Sequence, residues 1–263
     1  MTQFEARAPL AARLMCLLVT ISTAALTACA PPTNETLPDD PGTEIIRNPN
    51  DGSAANPTPD DPPTPLPDPP DMSEPTPGNP TPSAGKYAHV DPKKLIPSNL
   101  KAAALDYYDR NLSEIRNKAY LSVIDYAQSS TRARFFIINM STGAVKAIHV
   151  AHGKGSDSNH DGYAEKFSNL SGSNATSLGY YMTAETYSGS HGLSLRLDGL
   201  SSTNSNARSR AVVIHGASYV QERDVIQGRS WGCPAVTMEL RTAVINMIKG
   251  GSILYAGRST TAR

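Results

Sequence analysis

The sequence predicts a mainly β domain with flanking helices, an α+β fold, preceded by a long non-globular arm. Three observations carry this. About 175 residues from Lys86 onward have globular composition, enough for one domain with a sizeable core. Helical spacing comes first and short β-rich runs follow, without the regular strand–helix alternation of a parallel α/β sheet. Those runs are bounded by clusters of Gly, Ser, Asn and Asp, which punctuate hairpins and loops.

The elements follow in order. Ser98 is placed to cap a helix carrying Leu100, Ala103, Ala104, Leu105 and Tyr108. Ile115, Ala119, Leu121, Ile124 and Tyr126 recur at intervals that predict a second helix. After Ser129-Ser130 the pattern changes. Residues 135–138, Phe-Phe-Ile-Ile, and residues 145–150 are β-rich runs joined by Ser141-Thr142-Gly143, a hairpin signal. Residues 153–177 are rich in Gly, Ser, Asn and Asp and predict a long loop. Further strands are expected at 180–183, 193–197, 211–214 and 252–255, with a late helix over 238–248 that stops before Gly250-Gly251. The strands are expected to pair mainly antiparallel.

The arm has two parts. Residues 1–28 place Arg7 and Arg13 ahead of an apolar run that is short for a membrane span and interrupted by Thr and Ser, so they predict a signal peptide. The run ends in Leu26-Thr27-Ala28-Cys29, which resembles a bacterial lipobox and implies cleavage before Cys29 and lipidation at Cys29. Ala30, by resemblance to Gram-negative sorting rules, implies the outer membrane. The chain is therefore expected to be exported, membrane-anchored and facing the periplasm or cell wall. Residues 29–85 follow as a tether. Seventeen of the 21 prolines and ten acidic residues lie in 30–85, against one Arg and no Lys. Such a stretch cannot bury enough surface to offset its ordering entropy, so it is expected to stay disordered. Fully extended, it would reach on the order of 170 Å. From residue 86 to 263 the balance reverses to 21 Lys+Arg against 13 Asp+Glu. A basic domain favours anionic partners, and the lack of Lys/Arg runs interleaved with aromatics argues against nucleic acid.

Cysteine usage narrows the chemistry. Of three cysteines, Cys16 lies in the segment to be removed and Cys29 is the expected lipid site, which leaves Cys233 alone in a disulfide-permissive compartment. It sits in Gly228-Arg229-Ser230-Trp231-Gly232-Cys233-Pro234-Ala235, eighteen residues after the strand-like run that ends in His215-Gly216. A thiol needs a base because the thiolate is the nucleophile, and His is the usual one. Gly232 allows close approach of a carbonyl, and the N–H groups of Cys233 and Gly232 are candidates for an oxyanion hole.

These residues resemble the L,D-transpeptidase catalytic domain, YkuD-like, whose pattern is His, a gap of fourteen to seventeen residues, then Ser/Thr-His-Gly-Cys. Here fourteen residues separate His215 from Ser230, and Ser230, Gly232 and Cys233 match. Trp231 stands where the pattern has a second His, and the usual Arg or Asn soon after Cys is absent. The run Gly-Arg-Ser-x-Gly-Cys-x-Ala-Val is similar to a divergent murein L,D-transpeptidase branch. So are Val150-Ala151-His152-Gly153-Lys154-Gly155, Phe167-Ser168-Asn169, Ser177-Leu178-Gly179 and Asn206-Ala207. The resemblance covers roughly 110–257 within a catalytic domain of 86–263.

It implies a YkuD-like antiparallel β-sandwich and acyl transfer on peptidoglycan stem peptides. Cys233 would be the nucleophile and His215 the base, with Ser230 and Gly232 framing the oxyanion side. Arg229, His152, Ser177 and Trp231 are candidate substrate contacts; Trp231 is either a substrate-facing wall or a core plug. His191-Gly192 is expected to be an ordinary loop. No cofactor is expected. Asp157-Ser158-Asn159-His160-Asp161-Gly162 opens like a calcium loop, but its twelfth position is Ser168 rather than a bidentate Glu, so no metal is expected either. Three alternatives differ in kind. Water as acceptor would make an L,D-carboxypeptidase. A sortase needs an Arg near the Cys, and Arg241 falls inside the expected late helix. A non-catalytic wall-binding lipoprotein would use the same tether without the Cys–His pair.

Overall fold

A computed structural model of the chain describes residues 85–260. The expected signal peptide, Cys29 and nearly all of the tether lie outside the described residues. Ten elements run in order: α1 (Ser98–Arg110), β1 (Tyr120–Asp125), β2 (Phe135–Asn139), β3 (Val145–Ile148), β4 (Gly179–Gly189), β5 (Gly192–Gly199), β6 (Val213–Ala217), β7 (Ala235–Thr237), α2 (Arg241–Ile248) and β8 (Ile253–Gly257). Among the described residues no helix is long and apolar enough to cross a membrane.

The eight strands form one hydrogen-bonded sheet in the order β3-β2-β1-β8-β4-β5-β6-β7. Most neighbours are antiparallel, but β1 pairs with β8 and β6 with β7 in parallel. Both faces of the centre are covered. Ile124, Phe135, Ile137, Ile148, Leu195, Leu197, Ile214 and Val236 share one core with Val244, Ile245 and Ile248 of α2. Leu121, Val123, Phe136, Ile138, Tyr180 and Met182 share a second core with Leu100, Ala104, Leu105, Tyr107 and Tyr108 of α1. Successive strand residues thus alternate between two buried faces, which is why residues 135–138 read as an unbroken apolar run. The first core joins strands from opposite ends of the order, so the sheet is curled. The curl is closed by the chain leaving β3, where the Ala151 amide donates to the Ala235 carbonyl of β7 at 2.9 Å. The fold is the expected mainly β domain with flanking helices, built as a sandwich-like, nearly barrelled sheet.

Several sequence expectations change. The second helix does not form. Residues 120–125 are β1, held between β2 and β8 with five of its six residues buried. A strand apolar on both faces has no period of two, and its hydrophobic residues can mimic helical spacing. Ser98 does not cap α1; Pro97 occupies that position and no side chain bonds the first turn. The late helix starts at Arg241, β4 runs on to Gly189, and the three-residue β7 had no separate signal. The β2–β3 hairpin stands as read. Gly143 takes φ +73 there, and Asn139 Oδ1 accepts from the amides of Ser141 and Thr142.

Candidate active site

The site is assembled where the short β7 begins beside β6. Ser230 Oγ donates to the Cys233 carbonyl at 2.6 Å and accepts from the Gly232 amide at 3.1 Å, which folds residues 230–233 into a tight turn. Gly232 sits at φ +121, and a Cβ there would come within 2.9 Å of the Ala175 carbonyl, so a side chain is excluded on both counts. The turn is fixed from below by the segment leaving β3. Ser230 N–H donates to His152 O at 2.9 Å, and Lys154 N–H to Ser230 O at 2.8 Å. The Gly232 amide is therefore spent inside the turn and is not an oxyanion donor, which corrects that expectation. The Cys233 amide makes no such bond within the turn.

Cys233 is the free cysteine of the described residues and is partly exposed. Its sulfur accepts from the Val213 amide at 3.5 Å and lies 3.7 Å from the Ala211 carbonyl. Val213 is two residues before His215 on β6, and His215 is in register with Ala235, two residues after Cys233. Thiol and imidazole thus belong to adjacent parallel segments, one pleat apart. No thiol–imidazole hydrogen bond forms among the described residues; such contacts commonly tighten in the complex with substrate.

His215 is buried, and its Nδ1 lies 3.1 Å from the Gly216 carbonyl. A carbonyl only accepts, so Nδ1 carries the proton and Nε2 is bare. Burial pushes the His215 pKa below the ordinary imidazole value; the Gly216 carbonyl opposes this and the neighbouring His191 adds to it. Burial pushes the Cys233 thiol up, against the Val213 amide and the charge of Arg210. Both shifts favour a neutral thiol beside a neutral imidazole rather than a standing ion pair.

The profile of the L,D-transpeptidase catalytic domain family matches residues 92–256. The chain belongs to that family. No curated protein sequence matches it. Among solved structures it is similar to the helical cell shape determining protein Pgp2 (K307A mutant) from Campylobacter jejuni, at 13% identity and a TM-score of 0.34. That alignment covers 59% of this chain and 56% of the other, so the chain spans little more than half of its neighbour's length.

In this L,D-transpeptidase domain two of the expected substrate contacts, His152 and Ser177, are buried, and a third, Arg229, is half-buried and bound to backbone. His152 is 1% exposed. Its Nδ1 accepts from Arg134 at 2.6 Å and its Nε2–H donates to Asp157 at 3.0 Å, the tautomer following because guanidinium only donates. Burial first and the Arg134 charge second push its pKa down to about 4. His152 therefore cannot touch substrate; it ties the turn to the core. Ser177 is equally buried, its Oγ 2.7 Å from the Tyr181 hydroxyl. Arg229 donates to the Asp157 carbonyl and pins the 157–165 loop.

Trp231 resolves the other way. It is 65% exposed, with Lys154 Nζ 5.4 Å from its ring centroid, so it is a wall of the surface beside Cys233 and not a core plug. Three further residues carried no sequence signal. Arg210 donates to the carbonyls of Ser168 and Ala175, and its Nη2 would lie 3.2 Å from a Cβ on Gly232, so its charge flanks the nucleophile turn. Tyr219, partly exposed, packs over Gly228 just before the turn, and burial first, Cys233 second, push its hydroxyl pKa up. His191 stacks on His215 with centroids 4.4 Å apart, so the turn read as an ordinary loop reaches the site. Arg241 opens α2 rather than lying inside it and packs over Gly216.

The calcium-like loop has a defined structure. Carboxylate oxygens of Asp157, Asp161 and Glu165 lie within 4.8 Å of one another. Asp157 is already engaged by His152 and by the amides of Asp161 and Gly162. Ser168, at the twelfth position, gives its carbonyl to Arg210.

Proposed function

We propose that the domain is a cysteine acyl-transferase acting on peptidoglycan stem peptides, with Cys233 as nucleophile and His215 as base. The observation that carries this reading is the placement of a partly exposed thiol on a glycine turn beside the strand of a histidine whose Nδ1–H is locked and whose Nε2 is bare. Nε2 takes the thiol proton as sulfur adds to the carbonyl carbon ahead of the terminal D-residue. The Cys233 amide receives the oxyanion. The C–N bond then breaks, the proton passes from Nε2 to the leaving amine, and a thioester remains. An acceptor amine resolves it into a crosslink. Neutral thiol and neutral imidazole make the proton transfer part of the attack itself. Trp231 and Lys154 form an exposed aromatic and cationic wall suited to an anionic stem or its sugar.

The basic domain, the tether and the lipobox-like run ending at Cys29 support an enzyme anchored in the outer membrane that faces the periplasm and works at a distance from its anchor. The test is mass measurement of the full-length chain after incubation with a carbapenem. One adduct per chain, absent in Cys233→Ala, is expected; no adduct on folded protein overturns the reading. Products of muropeptide digestion then separate crosslinking from hydrolysis by water.

A further inference from the structure

The β4–β5 hairpin turns through Ser190-His191 and returns as β5, which pairs with β6 so that Ser194 is in register with His215. This brings the His191 ring onto the His215 ring, with centroids 4.4 Å apart and planes 28° from parallel. The turn is clamped. Arg241 Nη1 donates to the His191 carbonyl at 2.9 Å. Gly192, at φ +68, lies so close to that guanidinium that a Cβ would meet Nη1 at 2.8 Å. His191 itself is exposed, so one face of the otherwise buried His215 ring is covered by a single solvent-facing imidazole.

We propose that His191 is a positioning residue for His215, holding the imidazole plane with its bare Nε2 aimed outward and keeping that ring neutral. The stack and the Nδ1–H bond to Gly216 together leave the ring no free rotation. A second imidazole in face contact also resists double protonation, because two like charges at this spacing repel. The depressed His215 pKa, with His191 among its causes, agrees. Of the ionisable groups on neighbouring elements, Arg241 from α2 packs over Gly216, the residue after His215, and Cys233 lies on the segment beside β6. The Arg241 bond to the His191 carbonyl involves no side-chain atom of residue 191.

The inference rests on His215 being the base for Cys233, and two readouts on the full-length chain keep the two apart. The first is the imidazole titration of His215 by NMR, which needs no activity. His191→Phe keeps the stack and removes the charge, and the His215 midpoint is expected to rise by about 0.5 pH unit or more. The second is the rate of carbapenem acylation at Cys233 against pH. In His191→Phe its acid limb moves up with the His215 midpoint while the plateau is kept. In His191→Ala, where the ring is no longer held, the plateau falls about tenfold. A His215 midpoint unchanged in both variants, with native circular dichroism, overturns the role of His191. Failure of His215→Gln to slow acylation overturns instead the assignment of the base.

Discussion

The buried triad Arg134–His152–Asp157 shows how a histidine beside the Cys233 turn can be wholly taken up by internal hydrogen bonds. Arg134 is fully buried and donates to Gln128 and Val150 carbonyls as well as to His152. Removing His152 leaves the guanidinium one acceptor short in a dry site, and burial already holds the Arg134 pKa down to about 10. His152→Ala is expected to cost about 3 kcal/mol of stability, read from urea unfolding. It should slow acylation only as far as the turn at Ser230 loosens. Cys233 and His215 stand out in the sequence because a lone thiol in the globular part and a histidine at fixed spacing are chemical signals. His152, Ser177 and Arg229 were legible as special positions but not as to role. A polar residue reads the same whether it faces substrate or a buried arginine. Arg210 and His191 gave no signal, since each reaches the site by a loop whose path depends on the whole sheet.

At the scale of elements, the hairpins are set by backbone conformation more than by side-chain pattern. Gly143 closes the β2–β3 turn at positive φ, and a Cβ there would fall 1.9 Å from the His89 carbonyl. Gly143→Ala is expected to destabilise the domain by roughly 1–3 kcal/mol, visible as a lower thermal midpoint with the site chemistry intact. This hairpin was read correctly because its turn chemistry is local. β1 was misread because its identity is not local. Leu121 and Val123 face α1 while Ile124 faces α2, and only the packing of both helices makes that segment a strand. β7, at three residues, is a strand solely because β6 lies beside it.

For the whole molecule, protonation sets the acid limit of stability. His152 is held neutral in the fold, at about 4 against an ordinary 6.5. Between those values the unfolded chain binds a proton that the native chain refuses, so stability falls as pH drops through that window. The gap is worth roughly 3 kcal/mol, fully present above about 6.5 and lost by about 4. Asp157 acts in the same sense at lower pH. Burial would raise its carboxyl, but the hydrogen bonds from His152 and the Gly162 and Asp161 amides outweigh it and hold it low. Its contribution is present above the ordinary carboxylate value and lost below. Urea midpoints at pH 7, 5 and 4 should fall steadily in the native chain and more shallowly in His152→Ala.

The seam between the chain leaving β3 and the segment around Ser230 bears on when the thiol can act. Ala151–Ala235 and His152–Ser230 bonds join residues 84 and 78 positions apart, across a loop whose closure entropy must be met before the contact helps. Such a seam is expected to form late in folding and to open only with the domain as a whole. An unfolded chain would then carry a dormant sulfur, armed by the last step of its own assembly. Slow hydrogen exchange at the Ala151, Lys154 and Ser230 amides, matching that of the central strands, would be the mark of that coupling.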